Sequence, residues 1–456
     1  MNRTNILSGL EGSISGRVLS PTDPEYDRAR TVFYPFYDRR PAVIVQPAND
    51  QDVVTVVTLA ADTGLELAVK SGGHSPAGHA TTDGGILLDM SSMKDLQIDP
   101  TERAAWAEAG LTAGEYTAQA GVHGLATGFG DTGSVGIGGL TLSGGIGYLV
   151  RKHGLTIDNL LAADMVVADG SVIRVDQENH PDLFWAIRGG GGNFGVATRF
   201  QFRLHEVSTI FGGMSFIPAT ADVITDLIAA AEAAPDELSI IANIMNLPPM
   251  PGVPEEHIGH PAVMLLMAYA GPIKNGEKTT VPIRNLAKPI MDMVGPMRYP
   301  DMFQFTAEVP EIKHEIGRSL FADEVDHGSA EAILEHLGRT TAPIAVAQLR
   351  VLGGAMARVP DDATAFAHRR RPIMVAVGVV YDDASEDDIH REWTEGLAIS
   401  LRGREPGVYV GFLGEEGESR VREAYEGTTW DRLRAVKAKY DPTNLFRRNQ
   451  NILPAS

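Results

Sequence analysis

The sequence predicts an α+β protein built from more than one domain. Its 456 residues are too many for one ordinary hydrophobic core. Short apolar stretches typical of strands alternate with amphipathic stretches typical of helices along most of the chain. Glycine clusters crowd the first part and thin out near residue 206, where helical patterns become more frequent. This change in glycine content and pattern predicts a domain boundary near residue 206, and the sequence pattern changes again near residue 420.

Strands dominate the glycine-rich first part. Apolar strands are predicted at 41–47, 66–70 and 85–90, with a helix near Asp50–Thr63. A strand pair is predicted within 161–175, and a strand with alternating apolar residues begins at Val196.

The second part is predicted to combine helices with longer strands. The helices are expected at Asp222–Ala233 and Ala330–His336, and the strands at 238–245, 262–270, 344–352 and 373–381. The proline- and methionine-rich stretches at 246–254 and 287–302 are predicted to be loops.

The charge balance disfavours two classes of partner. The chain carries 39 basic and 59 acidic residues, a formal net charge of −20, which repels phosphate backbones and anionic lipids. No stretch approaches the roughly 20 apolar residues that a membrane span needs. Residues 1–20 also lack the apolar block of a secretion signal. We expect a cytoplasmic protein that binds neither nucleic acid nor membranes, and no pattern indicates its oligomeric state.

Cysteine is absent from the chain, which narrows the possible chemistry. Without it the protein can form no disulfide, no thiolate metal site, no iron–sulfur cluster and no cysteine nucleophile. Any redox chemistry must therefore depend on a bound cofactor. We predict no metal site.

Three glycine-rich stretches indicate close approach to a ligand: SGGHSPAGH at 71–79, the run at 128–147, and RGGGGNFG at 188–195. Glycine lets a backbone come near a ligand and present N–H groups to phosphate. None of the three opens a helix with G-x-G-x-x-G or matches G-x-x-x-x-G-K-[ST]. Each alone is better explained by tight turns. Three together, one with a histidine at its centre, favour a cofactor cradle.

Five segments together resemble the berberine-bridge-enzyme-like flavoproteins of the vanillyl-alcohol-oxidase superfamily. KSGGHSPAG at 70–78 is similar to the histidine-bearing pyrophosphate loop, and the segments at 135–172 and 180–202 are similar to the second and third FAD-binding segments. LGGAMARVPDDATAFAHR at 352–369 resembles the substrate-domain signature, and residues 430–454 resemble the C-terminal tail. The five segments follow the family's order and lie near its spacing.

The resemblance implies a PCMH-type FAD-binding domain of two α+β subdomains over 1–205. It implies a substrate-binding domain over 206–420, with an antiparallel sheet flanked by helices, and a segment over 421–456 that returns to the FAD domain. FAD is the implied cofactor. The matching motifs assign to it Ser71, Gly72, Gly73, His74, Ser75, Gly78, His79, Thr132, Val135, Gly136, Gly138, Gly139, Gly144, Gly145, Gly147, Asn193, Gly195, Val196, Asn449 and Asn451.

His74 is the residue to which the resemblance assigns an 8α-histidyl bond to the flavin. An imidazole bonded there withdraws electron density from the flavin and raises its potential. Many relatives add a second bond from a cysteine, but Thr132 occupies that position, so the flavin is expected to be linked through His74 alone. Val135 falls where the family controls access of O2, and a valine there goes with oxidases rather than dehydrogenases.

The catalytic base of the plant relatives has no counterpart in this chain. Their Y-x-N-Y motif lies on a strand and matches residues 409–412, where Gly411 replaces the asparagine and Phe412 the second tyrosine. Another family base, a Glu or Gln, aligns with Val377. The resemblance therefore names no base.

Four other residues are the candidate catalytic residues: Gln348, Arg350, Tyr409 and Tyr425. The period of two along a strand places Gln348 and Arg350 on one face, where they could orient a polar substrate group. An ion pair at a sheet edge explains Arg350 equally well, and packing is the better explanation of both tyrosines.

Together these features predict an FAD-dependent oxidase. A small, aromatic or alicyclic alcohol- or amine-type substrate is expected between the sheet and the flavin. It gives a hydride to flavin N5, and O2 reoxidises the flavin to yield hydrogen peroxide. The apolar strand MVAVGVVY at 374–381 disfavours a carbohydrate. Two alternatives stay open: a dehydrogenase of the same fold that uses another acceptor, and a redox-neutral cyclase or flavin-holding binding protein.

Overall fold

The structure, a computed structural model, describes residues 10, 12–306 and 313–456. Strands of these ranges form sheets of four, five and eight strands and one two-stranded pair, and helices lie between them. The fold is α+β, as the sequence predicts. Among the described helices, none combines the length and the apolar character that crossing a bilayer requires.

The first sheet presents the loop with His74 at its rim. Its strands are β1 (Arg17–Leu19), β2 (Val43–Gln46), β3 (Leu67–Lys70) and β4 (Ile86–Asp89), and the helices here are α1 (Tyr26–Arg30) and α2 (Asp50–Thr63). The strand order is β1-β2-β4-β3, with β4 parallel to both β2 and β3. Helix α2 begins after Asn49, whose side chain caps Asp52 N, and ends at Gly64 in the left-handed region. Because β3 is an edge strand, the loop that follows it is free to meet other parts of the chain.

The second sheet holds the glycine run at 128–147. The strands of this region are β5 (Leu96–Asp99), β6 (Ala104–Glu108), β7 (Leu125–Ala126), β8 (Leu160–Val166), β9 (Val172–Asp176), β10 (Val196–Arg203) and β11 (His205–Glu206). Its helices are α3 (Ala113–Gly121), α4 (Ile137–Ser143), α5 (Val150–His153) and α6 (Pro181–Ala186). The antiparallel sheet has the order β5-β6-β10-β8-β9, while β7 pairs with β11. Phe129 packs edge-to-face on Tyr116 and Phe202, with ring centroids 4.8 and 5.3 Å apart, and so anchors the glycine run.

The third sheet is antiparallel and has helices on one face. Its strands are β12 (Thr209–Pro218), β13 (Leu238–Asn246), β14 (Pro261–Tyr269), β15 (Met291–Asp292), β16 (Gly295–Arg298), β17 (His314–Ala322), β18 (Ile344–Val351) and β19 (Ile373–Tyr381). The helices are α7 (Ala221–Glu232), α8 (Ile273–Arg284), α9 (His327–Arg339), α10 (Ala355–Arg358) and α11 (Asp387–Ser400). The order is β15-β12-β14-β13-β18-β19-β17, and β16 also pairs with β12.

The two faces of this large sheet have different neighbours. On one face, residues such as Leu349 share an apolar core with α7, α9 and α11. On the other face, Met214 and its neighbours pack against Tyr148 of the glycine-rich part. Since side chains alternate along a strand, Gln348 and Arg350 lie on this second face, opposite to Leu349. We call it the inner face.

The end of the chain packs back on the glycine-rich part. Helices α12 (Glu418–Glu423) and α13 (Thr429–Tyr440) lead into it. Leu433 of α13 and Ile452 are fully buried in the apolar core of the second sheet. The buried Lys437 Nζ donates to Asp441 Oδ2 and to Asn193 O, each at 2.7 Å. The predicted domain limits near 205 and 420 stay predictions.

Some elements differ from those predicted. Helix α2 and strand β19 have the bounds expected, but the loop prediction for 287–302 is wrong. There β15 and β16 pair with β12, and residues 299–306 form a 3₁₀ helix. The two strands are too short to show an alternating pattern. Strands β12 and β17 were not predicted, because glycines interrupt both.

Candidate active site

The imidazole of His74 is held by an aromatic ring. Phe33 stacks on it, with ring centroids 4.2 Å apart and planes 24° apart. Phe33 N also donates to Gly73 O at 3.1 Å, so residue 33 fixes the loop through both its backbone and its side chain. The imidazole is half-buried. Its position is therefore defined while part of the ring stays accessible.

The first two glycine clusters touch each other. A Cβ on Gly72 would lie 2.2 Å from Gly136 N, and a Cβ on Gly136 would lie 2.1 Å from Gly72 N. Ser71 Oγ donates to Ala109 O at 2.6 Å and accepts from Gly138 N at 3.3 Å. Side chains at either glycine would separate the loops, so glycine is required at both positions for this contact.

Several polar groups of the His74 loop, the glycine run and the C-terminal tail lack partners among the described residues. Within the described chain, the backbone N–H groups of Gly72, Gly73 and Ser75 donate no hydrogen bond. The buried oxygens Ser134 Oγ, Asn449 Oδ1 and Asn451 Oδ1 also have none. Buried polar groups are normally satisfied, so a ligand is the expected partner. Free N–H donors suit phosphate, and this donor and acceptor set fits FAD.

The remaining glycine positions differ in what surrounds them. Gly139 is exposed, and a Cβ there would meet nothing within 4 Å, which leaves space beside the run. Gly78 lies against the Tyr37 ring, and Gly147 against the backbone of Phe129. A Cβ on Gly144 would contact Tyr409 and Phe366, and Gly145 N donates to Tyr409 Oη at 2.9 Å. Most of these positions need glycine for close packing of the loops.

A chain of four polar side chains crosses from the inner face to the glycine run. Gln348 Nε2 donates to Asn243 Oδ1 on β13 at 2.7 Å, and Arg350 Nε donates to Gln348 Oε1 at 2.9 Å. Arg350 Nη2 then donates to Asp131 Oδ2 at 2.8 Å. The side chains of Arg350 and Asp131 are only 5% and 13% exposed, so water screens this ion pair poorly.

Phenolic and apolar side chains surround this polar chain. The Arg350 guanidinium lies 5.1 Å from the centre of the Phe412 ring. The buried hydroxyl of Tyr299 has no hydrogen-bond partner among the described residues, and that of Tyr148 lies near Thr306 without a well-formed bond. Desolvation, followed by the charge of Asp131, raises the pKa of both phenols far above the usual value. Both tyrosines therefore stay protonated.

Two protein families match the chain. The FAD binding domain family covers residues 41–176, and the berberine and berberine-like family covers residues 408–453. The chain is 31% identical over 452 residues to (R)-6-hydroxynicotine oxidase of Paenarthrobacter nicotinovorans, with 97% of each chain covered. It is 30% identical to an uncharacterised FAD-linked oxidoreductase of Bacillus subtilis, again with 97% of each chain covered. The chain belongs to the berberine-bridge-enzyme-like FAD-linked oxidoreductases.

Solved structures agree with this assignment. The crystal structure of 6-hydroxy-D-nicotine oxidase from Arthrobacter nicotinovorans superposes with a TM-score of 0.87, at 29% identity and with 97% of this chain and 99% of that chain covered. A berberine-bridge-enzyme-like protein of Physcomitrella patens has a TM-score of 0.85 at 21% identity, with 99% of each chain covered, and shares the fold. The chain is thus an FAD-linked oxidoreductase with a PCMH-type α+β fold.

Several residues assigned to FAD already have protein partners in this oxidoreductase. The Asn193 amide donates to Gly190 O and Gln450 O and accepts from Ile452 N at 2.9 Å, so it ties the third glycine cluster to the tail. Val196 is buried in the core of the first sheet, and Gly195 packs against Val166 O.

His79, Thr132 and Val135 have different surroundings. Burial, with a smaller effect of Arg39, lowers the pKa of His79 to about 4, so its ring is neutral near pH 7. Thr132, which follows Asp131 in the chain, and Val135 are both half-buried, and Val135 lies outside the apolar cores.

The four candidate catalytic residues are not all brought together. Gln348 and Arg350 share the inner face, as predicted. Tyr409 is buried beside the glycine run, and its hydroxyl already accepts a hydrogen bond from Gly145 N. Tyr425 lies in the core of the second sheet, 3.4 Å from Gly189 O, away from the polar chain. Residues 410–412 form a 3₁₀ turn rather than the strand of the family's motif.

Three polar residues that lie on the inner face or contact it were not predicted. Asp131 stands between glycines of the run, and that placement is the only sequence signal it gives. Asn243 lies on a predicted strand, but only the pairing of β13 with β18 reveals its contact with Gln348. Glu315 lies on β17, which was not predicted. Val377, aligned with a family base, faces the helices instead.

Proposed function

We propose that this oxidoreductase is an oxidase whose flavin is bonded to His74 alone. Its substrate is a small aromatic or alicyclic molecule of alcohol or amine type, and O2 is the electron acceptor. The observation that carries the proposal is the contact of the His74 loop with the glycine run at Gly72 and Gly136, which leaves N–H donors and buried oxygens unused. The relative named (R)-6-hydroxynicotine oxidase supports the reaction class.

The two joined loops and the C-terminal tail supply the groups that would hold FAD. The unused N–H donors of Gly72, Gly73 and Ser75 suit its pyrophosphate. The free oxygens of Asn449 and Asn451 can accept from its hydroxyl or ring N–H groups. His74 provides the one covalent link, because the chain contains no cysteine that could form a second.

The chain's own residues bind and orient the substrate. Bound FAD would supply the hydride acceptor and the route for electrons to O2, with hydrogen peroxide as the product. Asn243 Nδ2 is a buried donor with no partner among the described residues and is available to a substrate oxygen or nitrogen. Asp131 neutralises Arg350, so the guanidinium acts as an oriented donor more than as an isolated charge. Aligned donors hold a substrate in a reactive position.

Apolar residues of the inner face limit the choice of substrate. Met214, Phe216 and Leu266 are buried in the cluster that also contains Tyr148 and Tyr299. A substrate bound beside such an apolar cluster is favoured when its body is aromatic or alicyclic rather than a sugar. Since both tyrosines stay protonated, neither can take up a proton. This favours an amine, or a substrate that arrives ionised.

Covalent attachment is tested by acid precipitation of the holoprotein. The flavin should stay with the wild-type pellet, and mass spectrometry should identify a flavin-bearing peptide that contains His74. His74→Ala should release all its flavin on precipitation. His79→Ala is the matched control, since it removes a neutral imidazole from the same loop, and its flavin should stay attached. Release of flavin from the wild type would refute the covalent link.

The electron acceptor is tested by turnover in air. An oxidase yields about one hydrogen peroxide per substrate oxidised. Reduced flavin that persists in air but is reoxidised by an artificial acceptor would identify a dehydrogenase. Turnover without either acceptor would identify a redox-neutral reaction.

A further inference from the structure

Glu315 is a carboxyl group on the inner face of the large sheet. It lies opposite Val380 of β19, and Gln348 of β18 lies opposite Ala376 of the same strand. Val380 and Ala376 are four residues apart, so they point to the same side of the sheet. Glu315 therefore shares a face with the polar chain formed by Asn243, Gln348, Arg350 and Asp131.

No side chain of the described residues neutralises Glu315. Within these residues its carboxyl group makes no hydrogen bond and no ion pair. Arg350 of this face pairs with Asp131 of the glycine run, and Lys313, two residues before Glu315, pairs with Asp382 at 3.2 Å. Loss of hydration without a counter-ion raises the pKa of Glu315 to about 7. A cationic partner would favour the ionised form.

Aromatic rings lie beside this carboxyl group. The segment 33–37 begins at Phe33, which stacks on His74, and carries Tyr34 and Tyr37, both of which respond to the charge of Glu315. Burial raises the pKa of Tyr34, and the negative charge of Glu315 raises it further. Tyr37 responds to burial, to Glu415 and Arg39, and to Glu315, which together raise its pKa to about 12. A carboxylate with aromatic faces nearby is the usual environment for an organic cation.

The surface between Glu315 and the polar chain has small side chains. Gly317 lies opposite Gly378, and Ser319 lies opposite Ala376. A Cβ added to Gly317 would lie 3.9 Å from Glu315 Oε1. Ala376, which lies opposite Gln348, is four residues from Val380, which lies opposite Glu315, so the two positions are roughly 13 Å apart along the strand. An elongated ligand can therefore lie along the sheet and reach both ends.

We propose that Glu315 binds the positively charged nitrogen of an organic ammonium substrate while Gln348 and Arg350 orient its other polar end. The inference rests on the proposed function, because it concerns the same site. Glu315 acts here through binding, and it determines which substrates the site accepts.

The test compares a cation with a neutral analogue of the same shape. The FAD-loaded protein is titrated anaerobically with 2-phenylethylammonium and with 2-phenylethanol, and binding is read from the change in the flavin absorbance spectrum. At pH 8 the ammonium ion should bind more tightly than the alcohol. Glu315→Gln should weaken binding of the cation roughly tenfold or more and leave the alcohol unchanged. Glu315→Asp should keep part of the preference, since it keeps the charge.

A control variant and a pH series complete the test. Glu324→Gln removes an equal charge from an exposed position two residues beyond β17 and should change neither affinity. In the wild type, affinity for the cation should rise as the pH increases through about 7, where the pKa of Glu315 lies, and Glu315→Gln should abolish this rise.

Three results would overturn the inference. The cation could bind no more tightly than the alcohol, which includes binding by neither. Glu315→Gln could weaken both ligands equally, which would indicate a structural role. Glu324→Gln could have the same effect as Glu315→Gln, which would indicate that the net charge of the protein, and not a contact with Glu315, attracts the cation. Flavin that is not linked to His74 would contradict the proposed function alone, since this titration needs only FAD-loaded protein.

Discussion

Arg350 Nη2 donates to Asp131 Oδ2 at 2.8 Å and thereby joins strand β18 to the glycine run 219 residues earlier in the chain. Both side chains are largely withdrawn from water. A buried ion pair stabilises a fold only while both partners are present, because a single buried charge is costly. This pair therefore ties the inner face to the glycine run.

Asp131→Asn should destabilise the protein, because it keeps the volume and removes the counter-ion of Arg350. We expect a loss of roughly 1.5–3 kcal/mol in the free energy of unfolding. Chemical denaturation of the holoprotein measures it. Asp62→Asn, on the exposed surface of α2, removes the same charge and should have little effect. Equal stability of the two variants would mean that the ion pair does not stabilise the fold.

Gln348→Leu and Arg350→Met should slow the reduction of the flavin by substrate and spare its reoxidation by O2. The loss of an aligned hydrogen bond to a charged or polarised group corresponds to a roughly ten- to hundredfold lower rate. Anaerobic stopped-flow absorbance measures the reduction step. Wild-type reduction rates combined with a lower melting temperature would show that these side chains only support the sheet.

Val135→Leu should slow reoxidation by O2 and leave anaerobic reduction nearly unchanged. The larger side chain would fill space beside the glycine run, where Val135 is half-buried and outside the apolar cores. Val135→Ala is the matched control, because it leaves the space open and should reoxidise at least as fast as the wild type. An equal loss in both half-reactions would assign Val135 to packing.

The stacked pair His153 and His205 should make the fold sensitive to acid. Their ring centroids are 3.9 Å apart, and desolvation lowers the pKa of His153 to about 3 and of His205 to about 4. In the unfolded chain both have a pKa near 6.5. As the pH falls from about 7 towards 4, the unfolded state takes up protons that the folded state does not, so stability decreases.

Replacement of one ring tests this pair. His153→Phe keeps the stack and removes one titrating group, so its free energy of unfolding should fall less steeply between pH 7 and 4 than that of the wild type. The difference should be on the order of 2 kcal/mol, because both rings are only half-buried. His123→Gln, at an exposed position, should follow the wild-type curve. Parallel curves for His153→Phe and the wild type would contradict the assignment.

Local patterns were sufficient for part of the site. The bounds of α2 follow from a capping residue and a terminal glycine, and the shared face of Gln348 and Arg350 follows from the period of a strand. These features depend on neighbours within a few residues. The family resemblance, likewise, depends on short contiguous motifs.

Long-range contacts account for what the sequence did not reveal. Asp131 has its partner 219 residues away, and Asn243 bonds to a residue 105 positions later. Glu315 was missed because Gly317 and Arg318 interrupt the apolar alternation of β17. Whether a polar residue is paired or unpaired is a property of the assembled sheet, and no local pattern encodes it.

The link between Asn193 and the tail has a consequence for the order of events during synthesis. Asn193 bonds to Gln450 O, 257 residues later in the chain, and Arg448 donates to Thr81 O. At about 5–20 residues per second, a ribosome needs roughly 13–50 s to bridge that interval. During this time the glycine clusters have been synthesised, but the C-terminal tail that packs on them has not. The nascent protein thus spends roughly 13–50 s with an open cradle, and the enclosure is completed only by residues that are among the last to emerge.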